Sequence, residues 1–170
     1  MIQPKVIALI LTYNDSMLAS RCIKSVKSSN YKHLIIYLID NKSEPNYIDE
    51  IRGQFPDLNI ISTEKNIGYS GAFNFAMRKL YREYPDVDYF WLLNNDLEVH
   101  SDCLQIMINK IHLNREIGFA GPETFKRDDS GKHDQWVTMR GTANNPGHIV
   151  LRNEYEYLDG DPPPQQFWLC

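Results

Sequence analysis

Hydrophobic positions in this chain come in unbroken blocks rather than one by one. Residues 6–11 read Val-Ile-Ala-Leu-Ile-Leu and residues 34–39 read Leu-Ile-Ile-Tyr-Leu-Ile, neither with a charged break. Residues 59–62 (Asn-Ile-Ile-Ser) are a weaker run, 89–93 (Tyr-Phe-Trp-Leu-Leu) a strong one, and 118–120 (Gly-Phe-Ala) a short fifth. Runs without period-two alternation predict strands covered on both faces, as in a parallel sheet flanked by helices.

Between the runs the period lengthens to that of a helix. Behind Asp15 or Ser16 as N-cap, Met17, Leu18, Cys22, Ile23 and Val26 form one apolar stripe. A short helix is predicted over 47–55, ending near Pro56, and a third from Ser70 through Phe73, Ala76, Met77 and Leu80, stopping before Pro85. A fourth follows Ser101 with Leu104, Ile108 and Ile111. The β-α alternation predicts an α/β sandwich with right-handed crossovers. From 122 to 148 periodicity fades, and loops of that length are functional or disordered. Residues 149–151 (Ile-Val-Leu) are a further strand candidate, and 160–164 (Gly-Asp-Pro-Pro-Pro) a turn or stiff linker. Phe167, Trp168, Leu169 and Cys170 read as a strand cut short by the terminus.

The 170 residues suggest one domain, and 42% hydrophobic with 24% charged residues fits a globular one. Lys+Arg 18 against Asp+Glu 22 gives −4 with no basic block, which argues against nucleic acid as a partner. The longest apolar run is far short of the roughly 20 residues of a membrane span, and the start Met1-Ile2-Gln3-Pro4-Lys5 lacks a signal-peptide layout. Cys22, Cys103 and Cys170 form neither a disulfide framework nor a metal-ligand spacing, which predicts a reducing, cytoplasmic setting. His33, His100 and His112 stand where a solvent-facing side chain is expected.

Chemistry gathers where strands end. The first run closes on Thr12-Tyr13-Asn14-Asp15, the second on Asp40-Asn41-Lys42-Ser43, the fourth on Asn94-Asn95-Asp96. If the runs are parallel, the three clusters share the carboxyl edge of the sheet, where open α/β sheets bind ligands. Tyr13 offers an aromatic face for a base, or packs. Asp40 is an acceptor suited to the N3–H of uracil or thymine, or it caps the next helix. Asp96, followed by Glu98, could hold Mg²⁺ or Mn²⁺ together with diphosphate oxygens, and it lies five positions too early to cap a helix at Ser101. Asn66-Ile67-Gly68-Tyr69-Ser70-Gly71 opens the third helix, where glycine permits close backbone approach and the helix terminus attracts anions.

The stretches 6–14 (V-I-A-L-I-L-T-Y-N), 35–43 (I-I-Y-L-I-D-N-K-S), 66–74 (N-I-G-Y-S-G-A-F-N) and 91–99 (W-L-L-N-N-D-L-E-V) resemble, in order and approximate spacing, the family 2 glycosyltransferases, particularly bacterial rhamnosyltransferase-like members. The resemblance covers roughly residues 5–122. It implies a GT-A-type fold: a Rossmann-like, mostly parallel sheet with helices on both faces. It also implies a nucleotide-diphosphate sugar donor of UDP or dTDP type, a divalent Mn²⁺ or Mg²⁺, and inverting transfer to an acceptor hydroxyl of a saccharide or lipid-linked saccharide.

Carried over by position, Thr12, Tyr13 and Asn14 should flank the base and Asp40 should bind it. Asn66 and Gly68 match an N-x-G element. Asn94, Asn95 and Asp96 stand at the family's D-x-D motif, with Asp96 as metal ligand and Asn94 in place of the first carboxylate, still able to bond a ribose hydroxyl. The family's general base, usually in an E-D pair beyond a G-A-containing strand, has no convincing counterpart; Glu154, Glu156, Asp159 and Asp161 are not assigned to that role. Hence the expectation is a donor-binding unit over 1–122 and a loop-rich start of the acceptor-side region over 123–170, both in one domain, as the donor half of a longer enzyme. Such an enzyme is expected in the cytoplasm, at the inner face of the membrane for a lipid-linked acceptor, with peripheral membrane association.

Rival readings are weaker. A sugar-phosphate nucleotidyltransferase would carry a Gly- and Arg-rich loop after the first strand, where this chain has Thr12-Tyr13-Asn14-Asp15-Ser16. A receiver-like signalling domain needs an acidic pair there. An inactive or truncated nucleotide-sugar-binding module shares every donor-side feature and differs only in lacking turnover.

Overall fold

The computed structural model describes residues 3–113 and 119–121, and as strand backbone 124–127, 133–137, 141–142, 145–146 and 167–169. Elements follow in the order β1 (Val6–Thr12), α1 (Ser16–Lys27), β2 (Leu34–Asp40), α2 (Pro45–Gln54), β3 (Asn59–Ser62), α3 (Gly68–Glu83), β4 (Tyr89–Asn94), α4 (Cys103–Leu113) and β5 (Phe119–Ala120). Then come β6 (Thr124–Arg127), β7 (His133–Val137), β8 (Gly141–Thr142), β9 (Asn145–Pro146) and β10 (Phe167–Leu169). The β6–β7 and β8–β9 pairs are antiparallel. The candidate strand at 149–151, the turn at 160–164 and the four unassigned carboxylates lie outside the described residues.

The main sheet has six strands in the order β3-β2-β1-β4-β10-β5, all parallel. The chain steps outward from β1 to β3, then α3 carries it back to β4 on the other side of β1. That reversal puts α3 on the opposite face from α1 and α2, as right-handed crossovers require. Alternation within β1 shows the two layers. Val6, Ala8 and Ile10 pack with Cys22, Ile23 and Val26 of α1, Ile48 and Ile51 of α2, and Leu104 and Ile108 of α4. Ile7 and Leu9 point the other way, to Ala72, Phe73, Ala76 and Leu80 of α3. Both β1 faces are therefore apolar, which is why the run shows no alternation. Trp91 and Phe90, adjacent in β4, are each about 1% exposed on opposite faces.

Several boundaries differ from the pattern in the sequence, each for a backbone reason. β1, β2 and β4 run one residue past their apolar blocks, because ladder bonds use main-chain groups whatever the side chain. α2 starts at Pro45 rather than 47, with Pro at its first turn, where a missing N–H costs nothing. α3 starts at Gly68 rather than Ser70. The terminal Phe167–Leu169 segment is a strand, inserted between β4 and β5.

Candidate functional site

Strand register brings the polar ends to one level. Thr12 pairs with Asp40, Asp40 with Ser62, and Leu11 with Asn94. Strand order reverses between β1 and β4, so their carboxyl ends border the crevice where such sheets bind ligands. A cavity of about 440 Å³ opens there, lined by Leu11, Thr12, Tyr13, Asp15, Asn41, Asn66, Gly68, Tyr69, Asn94 and Asn95.

The β1–α1 turn is held from two sides. Asp15 caps α1, its Oδ1 accepting the Leu18 N–H at 2.9 Å. Asn14 sits at φ 53, a left-handed conformation that asparagine tolerates. Its N–H donates to Ser43 Oγ at 2.9 Å, and its Oδ1 accepts the Glu44 N–H at 2.8 Å. The Asn14 side chain thus clamps the β1–α1 turn to the β2–α2 loop. Tyr13, next to it, is 51% exposed and faces the cavity.

The end of β2 is a buried polar knot. Asp40 Oδ1 accepts the Ser43 N–H at 2.7 Å, closing the turn before α2. Asn41, 4% exposed, donates to Asn66 Oδ1 at 3.0 Å and to Gly68 O at 3.4 Å. Its Oδ1 accepts the Ile67 N–H at 3.0 Å and the Thr63 hydroxyl at 3.3 Å. Asn66 Oδ1 also takes the Gly68 N–H at 3.0 Å. Gly68 itself has φ +75, and a methyl there would meet nothing within 4 Å, so its backbone angle and not space calls for glycine. One buried asparagine therefore fixes the whole approach to α3, including Tyr69 at the cavity wall.

The end of β4 is open by comparison. Asn94 and Asp96 are exposed and Asn95 half-buried. Asn95 Nδ2 reaches Thr12 Oγ1 at 3.4 Å. Glu98 is paired with Arg21, whereas Asp96 has no hydrogen bond or ion pair among the described residues. Behind this turn the Cys22 thiol donates to Asn94 O at 3.4 Å. Burial first, then the negative charge of Asp96 and Glu98, push its pKa up to about 12. Cys22 is an apolar filler here and not a nucleophile.

Of the residues expected from sequence, Thr12, Tyr13, Asn66, Gly68, Asn94 and Asn95 line one cavity. Asn14, Asp40 and Asp96 stand outside its lining: Asn14 bonds into the neighbouring loop, Asp40 is buried with Oδ1 on the Ser43 N–H, and Asp96 follows Asn95 in the turn. Asn41, Asp15 and Tyr69 line the cavity without having been singled out. Asn41 was visible as an amide beside a strand-end aspartate, and Tyr69 as an aromatic just after N-x-G; both signals need the fold to give them meaning.

A divalent cation is the group the resemblance implies. Asp96 presents an exposed hard oxygen donor, following Asn94 and Asn95 in sequence. Among the described residues no three His, Cys, Asp or Glu side chains group to cage a metal. One carboxylate does not make a structural metal centre, but it fits a cation that takes its other oxygens from a diphosphate and water.

A doubly wound parallel sheet with an amide- and aromatic-lined crevice at its switch point defines an α/β ligand-binding domain of GT-A type. The chain belongs to glycosyl transferase family 2, whose family model matches residues 7–166. Solved structures share the fold. S. aureus TarS residues 1–349 superposes with a TM-score of 0.58 at 14% identity, covering 71% of this chain and 36% of that one. Mannosyltransferase PcManGT from Pyrobaculum calidifontis, in complex with GDP-Man and Mn²⁺, gives 0.57 at 16% identity, covering 72% and 36%. TarS 1–349 in complex with UDP-GlcNAc gives 0.59 at 14% identity, covering 77% and 37%. The chain thus spans little more than a third of the length of these proteins. No curated protein matches it.

Proposed function

We propose that this chain is the donor-binding part of a glycosyltransferase that moves a sugar from a nucleotide-diphosphate carrier, UDP or dTDP in type, to an acceptor hydroxyl with inversion. The observation that carries the reading is the cavity of about 440 Å³ at the β1/β4 switch point, which gathers residues from four segments far apart in the chain. Support comes from family membership and from similarly folded proteins that hold UDP-GlcNAc or GDP-Man with Mn²⁺.

In this reading Tyr13 stacks on the base and Thr12 and Asn14 shape the turn beneath it. Asp40, with Oδ1 spent on Ser43, keeps Oδ2 for a base N–H. Asn94 bonds a ribose hydroxyl, while Asn66 and Gly68 hold the approach to α3. Asp96 holds Mn²⁺ or Mg²⁺, which when bound neutralises charge on the leaving diphosphate. Among the described lining residues none carries a positive charge, so in this reading the offset falls to the cation. Residues 1–122 serve the donor, and 123–170 begin the acceptor side. The acceptor is a saccharide or lipid-linked saccharide of a cell-surface polymer, met at the cytoplasmic face of a membrane by peripheral association. Among the described residues no helix is long and apolar enough to cross one.

The test is calorimetry of the chain with UDP and dTDP, with and without Mn²⁺. Binding should tighten with Mn²⁺, and Asp96→Ala should lose at least about 10-fold of the metal-dependent part, the order of one charge-assisted contact. Metal-independent binding in the parent, or an unchanged Asp96→Ala, removes Asp96 from this role. Binding with no transfer in any longer version of the chain would favour an inactive nucleotide-sugar module.

A further inference from the structure

We propose that Tyr69 is a second base-facing aromatic of the donor crevice, acting with Tyr13 to select a flat nucleobase; this rests on the nucleotide-sugar reading above. Among the described residues five large apolar side chains are conspicuously exposed: Tyr13, Met17, Tyr69, Phe75 and Ile106. Of these, Tyr13 and Tyr69 line the cavity, and they enter it from different elements, the β1–α1 turn and the first turn of α3. An isolated exposed aromatic is ordinary; two that converge on one crevice from separate elements point to a ligand with an aromatic face.

Tyr69 is held ready. Its ring meets the Phe73 ring edge-on, with centroids 4.9 Å apart at 73°, and Phe73 is 2% exposed. The backbone before it is fixed by the left-handed Gly68 and by the bonds from Asn41 to Asn66, Ile67 and Gly68. Little ordering remains to be done when a ligand arrives, so contact with this ring is not eroded by lost freedom.

The rest of the lining says which part of the ligand belongs here. Among the described residues it has four asparagines, one aliphatic hydroxyl and one carboxylate, and no Lys, Arg or His. Asn41 spends both amide atoms inside the wall, but the amide of Asn94, and part of those of Asn66 and Asn95, remain to donate and accept in one plane, which matches the edges of a heterocycle. A diphosphate would instead ask for cations. The crevice around Tyr69 therefore suits the neutral nucleoside end of the donor.

The experiment uses calorimetry at saturating Mn²⁺. The parent chain is titrated with UDP, dTDP and GDP, and the best-bound one is carried forward with its glucose conjugate. Tyr69→Ala should bind both ligands more weakly by the same factor, roughly 5- to 100-fold, the range of one lost base–aromatic stack. Tyr69→Leu, which keeps apolar bulk against Phe73, should lose as much, whereas Tyr69→Phe should stay within about twofold because stacking needs the ring and not its hydroxyl. Thermal melts of all three establish that they fold. Parent-like binding by Tyr69→Leu overturns the proposal. So does a loss confined to the glucose conjugate, which would place the ring on the sugar. A parent chain that binds none of the three nucleotides sinks the donor reading itself, a different outcome from Tyr69 variants that match a parent that binds.

Discussion

The two walls of the crevice are built in opposite ways. At the β2–α3 wall Asp40 and Asn41 are about 5% and 4% exposed, and Asn41 uses both amide atoms on Thr63, Asn66, Ile67 and Gly68. At the β4 wall Asn94 and Asp96 are exposed, and the longest-reaching bond, Asn95 to Thr12, spans 3.4 Å. Both walls are short polar clusters after an apolar strand, and their residue types are alike. The difference teaches that the first wall holds its shape through its own bonds, whereas the second leaves its side-chain polar groups to solvent. Free energy separates them: a satisfied internal bond adds about 1 kcal/mol, whereas orphaning a buried partner costs about 1–3 kcal/mol per group.

That contrast breaks most sharply at Asn41. Asn41→Leu strips the buried Ile67 N–H of its acceptor, while the Thr63 hydroxyl falls back on Asp40 O, and should lower unfolding free energy by about 1–3 kcal/mol. Urea denaturation should show a reduced midpoint with an unchanged slope. Asn41→Asp should lose at least as much at neutral pH, because it keeps the acceptor but buries a carboxylate oxygen against Asn66 Oδ1 and Gly68 O. An Asn41→Leu chain as stable as the parent would mean the knot adds nothing.

Glycine substitutions sharpen the same wall through two signs. Gly68→Ala should cost about 1–2 kcal/mol, from its φ of +75 alone, since no atom lies within 4 Å of the new methyl. Gly53→Ala in α2, equally unobstructed and without a positive φ, should gain about 0.5–1 kcal/mol. Thermal melts of the pair moving the same way would contradict the backbone account.

Alkaline pH probes the β4 wall from behind. The folded Cys22 thiol holds its proton up to about 12 against an ordinary value of 9.0. Above pH 9 the unfolded chain releases that proton and the folded chain does not, so stability is full below about 9 and falls as pH rises toward 12. Tyr31 and Tyr37, raised chiefly by burial, add to the same decline. Cys22→Ala should flatten part of the loss between pH 9 and 11 in urea midpoints; an identical slope would assign all of it to the tyrosines and to Cys103, whose thiol burial also pushes up.

The smallest effect on stability belongs to the residue proposed to hold the cation. Asp96 is exposed and unpaired among the described residues, so Asp96→Ala should change unfolding free energy by no more than about 0.5 kcal/mol. Chemical denaturation of the variant is the check. A large loss would make Asp96 part of the framework, like Asn41.

Much of this fold was legible because burial on both faces leaves a mark in the residues themselves. Val6–Thr12 and Tyr89–Asn94 show as apolar blocks, and the α1 stripe shows at helical spacing with Asp15 as its cap. The site was legible in part. Thr12, Tyr13, Asn66, Gly68, Asn94 and Asn95 could be picked out because a strand end followed by amides or aromatics is chemically conspicuous. Asn14 and Asn41 show the limit. Both are asparagines after a strand, and nothing in their neighbours along the chain says that the first clamps a loop and the second organises the start of a helix.

Local order along the chain, then, settled the strands and helices up to Ala120 and which residue types stand at their ends, since those follow from period, caps and breakers read over a few residues; the short strands β6–β9 fall in a stretch that reads as loop. Tertiary structure alone decided that the chain turns back after β3, that β10 slips between β4 and β5, and that Tyr69 comes to the same crevice as Tyr13. Those outcomes depend on pairings between segments tens of residues apart, and strand order and side-chain convergence are properties of such pairings rather than of any single stretch.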